Sequence, residues 1–218
     1  MTQALTQEQT LQKYLLRLAD SNLIISQRLC ELCGKAPAVE EELALMNVAL
    51  DLVGQARNWY EYAGELDEAK RDADTLAFRR DAHEYHSLLL TEQPNGDYAV
   101  TMARQFFYDV WHYFTLQALA NSPNERIAGI AAKALKEVTY HLRRSSAWMK
   151  RLGDGTEESH QRMEDAVESL WRFTGELITP DEIEINLAQQ GLAPDPEKLA
   201  KDWKGLVKEV LTEATLTL

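Results

Sequence analysis

Apolar residues return every three or four positions from one end of this 218-residue chain to the other, and no stretch alternates with a period of two. That periodicity fits amphipathic α-helices and argues against half-buried strands. Gly (10) and Pro (6) make up about 7% of the residues, against about 12% in average usage. Too few turn-formers remain for a sandwich or a barrel, both of which need many turns.

Tyr14, Leu15, Leu18, Ile25, Leu29 and Leu32 predict a first helix from about Gln9 to Cys33, closed by Gly34 and Pro37. A second, Val39 to Leu66, carries Glu40, Glu41 and Glu42 in its first turn, where the helix dipole favours negative charge. Between Leu43 and Ala56 it is apolar almost all round, as a central buried helix is. Further helices are predicted over Thr75–Thr91, Tyr98–Ala120, Asn124–Leu152 and Thr156–Leu177. Gln93-Pro94-Asn95-Gly96 and Gly153-Asp154-Gly155 are turn signals between them. Thr179 as cap and Pro180 in the first turn open a short helix, and a last helix starts near Glu197. There is no constant-period repeat and no low-complexity linker. The expectation is an all-α helical bundle forming one domain over residues 1–218.

The balance of 23 basic against 35 acidic residues gives a net charge of −12. This disfavours nucleic acid as a partner, because phosphate neutralisation needs clustered Lys and Arg. Two cysteines cannot staple a chain of this length, which points to a reducing compartment. The opening MTQALTQEQT lacks the basic and apolar regions of a secretory signal, and no apolar run approaches the ~20 residues that span a bilayer. A cytoplasmic protein with no membrane partner is expected.

Polar residues within the apolar helices carry the functional question. Asn47, Asp51 and Gln55 sit at i, i+4 and i+8 on one face of the second helix. Asp20 lies among Leu18, Leu23 and Ile24, Asp109 and His112 lie between aromatic residues, and Glu137, Tyr140 and His141 form a further island. A buried carboxylate must be paired, hydrogen-bonded, protonated or bound to metal. Asp20 and Asp51 are 31 residues apart and Asp109 and Glu137 are 28 apart, a spacing that brings residues of two antiparallel helices to one height. A lone carboxylate on one helix of each pair and Glu-x-x-His on the other is the layout of a ferritin-like carboxylate bundle. Both Glu-x-x-His motifs are altered. They read Asp51-Leu52-Val53-Gly54 and Glu137-Val138-Thr139-Tyr140, with Gly and Tyr where imidazoles belong. Four carboxylates without both histidines make a poor iron site. Asp109, His112, Glu137 and His141 remain as a rival metal set between two helices. The alternative is that both histidines donate to carboxylates or carbonyls inside a packed bundle.

Other features read as structural. Cys30-Glu31-Leu32-Cys33 is a CxxC outside a redox-fold context, and two small residues on a packed helix end account for it. His83 and His86, at i and i+3, fit a solvated polar face. Phe106, Phe107, Tyr108, Trp111, Tyr113 and Phe114 wrap most of one helix, so some are core and the rest suit an interface. Trp148, Trp171, Phe173 and Trp203 fit either. There is no phosphate loop and no serine nucleophile elbow.

Longer runs carry a family resemblance. Asn47 to Asn58 (NVALDLVGQARN), Asp74 to Asp81 (DTLAFRRD), Leu88 to Tyr98 (LLLTEQPNGDY) followed by Thr101 to Gln105, Lys136 to Arg143 (KEVTYHLR), Leu170 to Thr174 and Asp181 to Ile183 resemble, in order, the C-subunit family of phenylacetyl-CoA epoxidases. The resemblance runs from about Tyr14 to Thr215, and relatives extend beyond that point, so a shortened version is expected. It implies a ferritin-like subunit of a multicomponent monooxygenase that epoxidises the ring of phenylacetyl-CoA with oxygen and electrons from NADPH. A homologous A subunit would hold the di-iron centre, with other epoxidase subunits as further partners. This chain would be its non-catalytic structural partner with no metal or cofactor of its own. Asp20, Asp51, Gly54, Asp109, Glu137 and Tyr140 would then be the vestigial di-iron positions, Asp20 fitting most loosely. A basic neighbour would replace the iron's charge, with Arg57 and Arg104 as candidates.

Overall fold

The computed structural model describes residues 5–217. They form an all-α bundle, with no strand among the described residues. Helix α1 (Gln7–Cys30) starts in a reciprocal cap between Thr6 and Gln9 and packs along α2 (Val39–Leu66). Helices α5 (Tyr98–Leu119) and α6 (Glu125–Gly153) form the second antiparallel pair, and this is the ferritin-like arrangement of two helix hairpins joined by a crossover.

The crossover departs from the single helix expected over Thr75–Thr91. It is α3 (Ala73–Phe78), one 3-10 turn (Ala82–Glu84), an extended stretch and α4 (Leu89–Glu92). The break has a local and a tertiary cause. Asp81 N–H donates to the Glu84 carboxylate at 2.7 Å and Glu84 N–H to the Asp81 carbonyl at 2.9 Å, closing a new turn that stops continuation from Phe78. The extended backbone then finds partners on α1: His86 N–H donates to Asp20 at 2.7 Å and Leu88 N–H to Ser21 at 3.1 Å. Backbone groups left without a helix partner must be satisfied somewhere, and α1 supplies the acceptors.

The helix expected over Thr156–Leu177 is also split, into α7 (Glu157–Trp171) and α8 (Gly175–Ile178). Asp181, not Thr179, caps α9 (Glu182–Ala188). The last helix, α10 (Pro196–Glu213), opens with Asp195 as cap and Pro196 in its first turn. The first helix ends at Cys30 rather than Cys33, in a turn closed by Gly34 at φ +80°.

The central helix is α5, not α2. Ala99 and every residue from Thr101 to His112 are buried, enclosed by α6, α7, α8, α10 and α4. Helix α2 instead presents Leu43 (61%), Leu50 (69%) and Val53 (43%) to solvent. Its polar triplet does not share one environment. Asn47 is exposed, Asp51 half-buried and Gln55 buried, because each four-residue step drifts roughly 40° around a helix of 3.6 residues per turn.

Phe107, Trp171 and Trp203 pack with ring centroids 5.9–6.0 Å apart, and Trp203 Nε1 donates to the Phe107 carbonyl at 3.1 Å. Trp203 is therefore core, while Trp171 keeps one edge exposed. No helix among the described residues is long and apolar enough to cross a membrane.

Candidate functional site

Asp20 is fully buried on α1 and its carboxylate is saturated by protein donors. Tyr60 Oη donates to it at 2.5 Å, His86 N–H at 2.7 Å, and Arg80 through both terminal nitrogens, one of them at 3.1 Å. Arg80 is nearly as buried, donates also to the Glu84 carbonyl at 2.9 Å, and stacks on Tyr85 with its carbon 4.2 Å from the ring centroid. Burial opposes the Arg80 charge, but the bond to Asp20, the Asp20 charge and the neighbouring Tyr60 and Tyr85 together outweigh it and hold the guanidinium charged. The same site raises the Tyr60 phenol, through burial first and the Asp20 charge second. This pair closes the crossover onto the α1–α2 hairpin. The basic partner is thus Arg80. Arg57 lies on the surface against Glu61, and Arg104 is spent on the Gln93 carbonyl and Asn95.

A second polar group lies between α5 and α6. Asp109 is fully buried and accepts from Gln105 Nε2 and from Ser145 Oγ, both at 2.7 Å. Burial pushes its carboxyl up to about 6, although His141, Ser145 and Gln105 act in the opposite sense. One turn on, His112 is held between Tyr108 and Trp111, with ring centroids 5.2 and 6.1 Å away. Neither of its ring nitrogens has a hydrogen-bond partner. Burial, and then His141, press it down to about 3, so it is neutral at ordinary pH. His141 Nε2 sits 2.9 Å from Asp51 Oδ2, and its Nδ1 is buried and unpaired. Glu137 accepts from Gln55 Nε2 at 2.8 Å. The expectation that both histidines meet carboxylates or carbonyls therefore holds for His141 and fails for His112.

The six positions expected to mark a vestigial centre do not converge. Asp20 is committed to Arg80 and Asp109 to Gln105 and Ser145. Asp51 and Glu137 lie at the rim of the α2–α6 seam, each half-buried. Gly54 is exposed, with open space where a Cβ would stand, and Tyr140 is 41% exposed beneath Arg143. No group of three or more His, Cys, Asp or Glu side chains among the described residues is placed to hold a metal ion. The rival set fares no better: Asp109 is taken by Gln105 and Ser145, Glu137 by Gln55 and His141 by Asp51, and His112 bonds to none of them. A di-iron centre needs convergent carboxylates with free lone pairs, and the donor set here does not fit one.

Sequence reasoning missed Arg80, Tyr60, Gln105 and Ser145. Arg80 sits in Phe78-Arg79-Arg80-Asp81, which reads as the solvated side of a helix until the helix breaks there. Tyr60 and Ser145 carried no pattern beyond ordinary helix faces. Asn22, also buried, accepts from Tyr108 Oη at 2.5 Å and was equally silent. His83 and His86 do not share a helix face, since one lies in the 3-10 turn and the other in extended backbone. Cys30 and Cys33 are exposed free thiols, not packed residues.

Known proteins resemble the chain along its length. Residues 1–218 match the family model described as "Phenylacetic acid catabolic protein". The chain is 51% identical over 205 residues to the C subunit of 1,2-phenylacetyl-CoA epoxidase from Escherichia coli (strain K12), covering 94% of this chain and 82% of that protein.

Proposed function

Because the chain belongs to the phenylacetic acid catabolic protein family, we propose that it is the non-catalytic structural subunit of a phenylacetyl-CoA epoxidase, working in the cytoplasm beside a homologous catalytic subunit. It takes part in phenylacetate catabolism, as its similarity to the C subunit of the Escherichia coli epoxidase indicates. In this reading the oxygen-activating di-iron centre belongs to the partner, and this chain binds no metal and no cofactor. Asp20, Asp51, Asp109 and Glu137 are then the remnants of a ligand set whose chemistry has been lost, and Gly54 and Tyr140 stand, facing outward, at the sequence positions of the lost histidines.

One observation carries the reading. The two fully buried acids of the bundle are satisfied from within, Asp20 by Arg80, Tyr60 and a backbone N–H, Asp109 by Gln105 and Ser145. A guanidinium against Asp20 supplies the positive charge that a bound metal supplies in a ferritin-like site, and it does so permanently.

The test is reconstitution. The catalytic subunit is purified alone and together with this chain, and phenylacetyl-CoA epoxidation is assayed with a reductase and NADPH. A stable complex whose activity needs this chain, and survives Asp109→Asn in it, is the expected result. No complex, or activity abolished by Asp109→Asn with the complex intact, overturns the proposal.

A further inference from the structure

The turn between α1 and α2 carries the chain's two cysteines, three residues apart, and nothing in the role above uses them. Cys30 is the last residue of α1 and Cys33 lies in the following turn. Both are free and exposed, and Cys33 N–H donates to the Cys30 carbonyl at 3.1 Å. A turn closed by an i to i+3 hydrogen bond keeps its end Cα atoms within about 7 Å, and a disulfide accepts Cα separations of roughly 4.4–6.8 Å. The residues between them are fixed. Leu32 is buried, and Glu31 accepts from Arg28 and from Asn95 at 2.9 and 3.2 Å. The Glu42 carboxylate accepts Gly34 N–H at 2.7 Å and Ala36 N–H at 3.2 Å, next to Cys33, and its proximity raises the Cys33 thiol. Glu42 thus ties the start of α2 to the turn that carries Cys33.

We propose that Cys30 and Cys33 form a thiol–disulfide exchange site that closes into an intrachain disulfide when it meets a small-molecule disulfide. The Cys30 thiolate attacks one sulfur of the incoming disulfide, forms a mixed disulfide and releases one thiolate. Cys33 then loses its proton to solvent or to the neighbouring Glu42 carboxylate. Its thiolate attacks the Cys30 sulfur, closing the Cys30–Cys33 bond and expelling the second thiolate. Two protein thiols are oxidised and one small disulfide is reduced to two thiols. Cys33 goes second because the Glu42 carboxylate, held beside it by the Gly34 and Ala36 N–H groups, raises its thiol.

The position sets the character of the site. A CxxC at a helix N-terminus gains thiolate stability from the dipole, but this one lies at the C-terminal end of α1, the negative end. The dipole lends no assistance toward thiolate at this end. Exchange is therefore slow at neutral pH and quickens as pH rises, and the disulfide, once closed, resists reduction more than that of an oxidising CxxC does.

The reduced chain is treated with dithiobisnitrobenzoate and followed by absorbance and intact mass. Two thionitrobenzoate equivalents released per chain, with a product lighter by two hydrogens and carrying no adduct, are expected. Cys33→Ser is expected to keep one adduct, and Cys30→Ser to react several-fold more slowly than Cys33→Ser. Two retained adducts on the unaltered chain would overturn the closure. Equal rates for the two single variants would overturn the assigned order of attack.

Discussion

Asp109 and His112 lie one turn apart on α5 and pull the pH dependence of stability in opposite directions. Each is fully buried, so each resists carrying charge. For Asp109 the folded value of about 6 lies above the ordinary 3.8. Its contribution is present in full below pH 3.8 and is lost as pH rises through 6. For His112 the folded value of about 3 lies below the ordinary 6.5. Its contribution is present above pH 6.5 and is lost as pH falls toward 3, because only the unfolded chain takes up the proton. On going from pH 7 to pH 5, Asp109 adds about 1 kcal/mol of stability and His112 removes about 2 kcal/mol, at 1.36 kcal/mol per pKa unit. The parent protein shows only the small difference. Removing one group exposes the other. Asp109→Asn is expected to lose about 1 kcal/mol more than the parent between pH 7 and 5, and His112→Leu about 2 kcal/mol less. Urea unfolding at constant ionic strength, read at pH 5, 6 and 7 with the m-value checked, measures this directly. A variant-minus-parent difference that stays flat across the range would refute the reasoning, since it would mean the two groups titrate alike in the folded and unfolded chains.

Other perturbations test the packing. Arg80→Leu strands the Asp20 carboxylate and should cost about 3–5 kcal/mol in urea unfolding; the double variant with Asp20→Leu should cost clearly less than the sum of the two singles, and additivity would dissolve the pair. Gly153→Ala drives a Cβ into the Ala214 carbonyl and to 3.0 Å from the Ala214 Cβ, so about 1–3 kcal/mol of destabilisation is expected, with an unchanged midpoint as the contrary result. Trp203→Ala empties the space against Phe107 and Trp171 and leaves the Phe107 carbonyl without its indole donor; a loss of about 3–5 kcal/mol is expected from denaturant midpoints, and less than 1 kcal/mol would place Trp203 outside the core.

Much of the architecture was legible because helix signals are local. The bounds of α2 match, as do the start of α5 at Tyr98 and, to one residue, that of α6 at Glu125, where the caps Asp97 and Asn124 coincide with the onset of an apolar stripe. The crossover was not legible. Its residues 75–91 hold helical periodicity, yet the backbone leaves the helix because α1 offers acceptors at Asp20 and Ser21, and that is a fact of tertiary packing. The same limit explains the site. A sequence shows that Asp20 and Asp109 need partners, since their neighbours are apolar, but Arg80 arrives from 60 residues away and Ser145 from 36. The i+4 spacing of Asn47, Asp51 and Gln55 suggested one face, while the true helical period turns that row from solvent to core. Gly54 and Tyr140 stand at the histidine positions of the altered motifs, but both look outward, so motif spacing alone did not say which residues face the bundle interior.

Iron content tests most directly whether the bundle's acids are engaged by the protein and leave no room for a metal centre. The purified chain is loaded anaerobically with ferrous iron, desalted and analysed for bound metal. No retained iron is expected, and Asp109→Asn should change nothing. Two irons per chain, lost on replacing Asp109 and Glu137, would contradict the saturated-acid reading and make this chain a metal-bearing subunit in its own right.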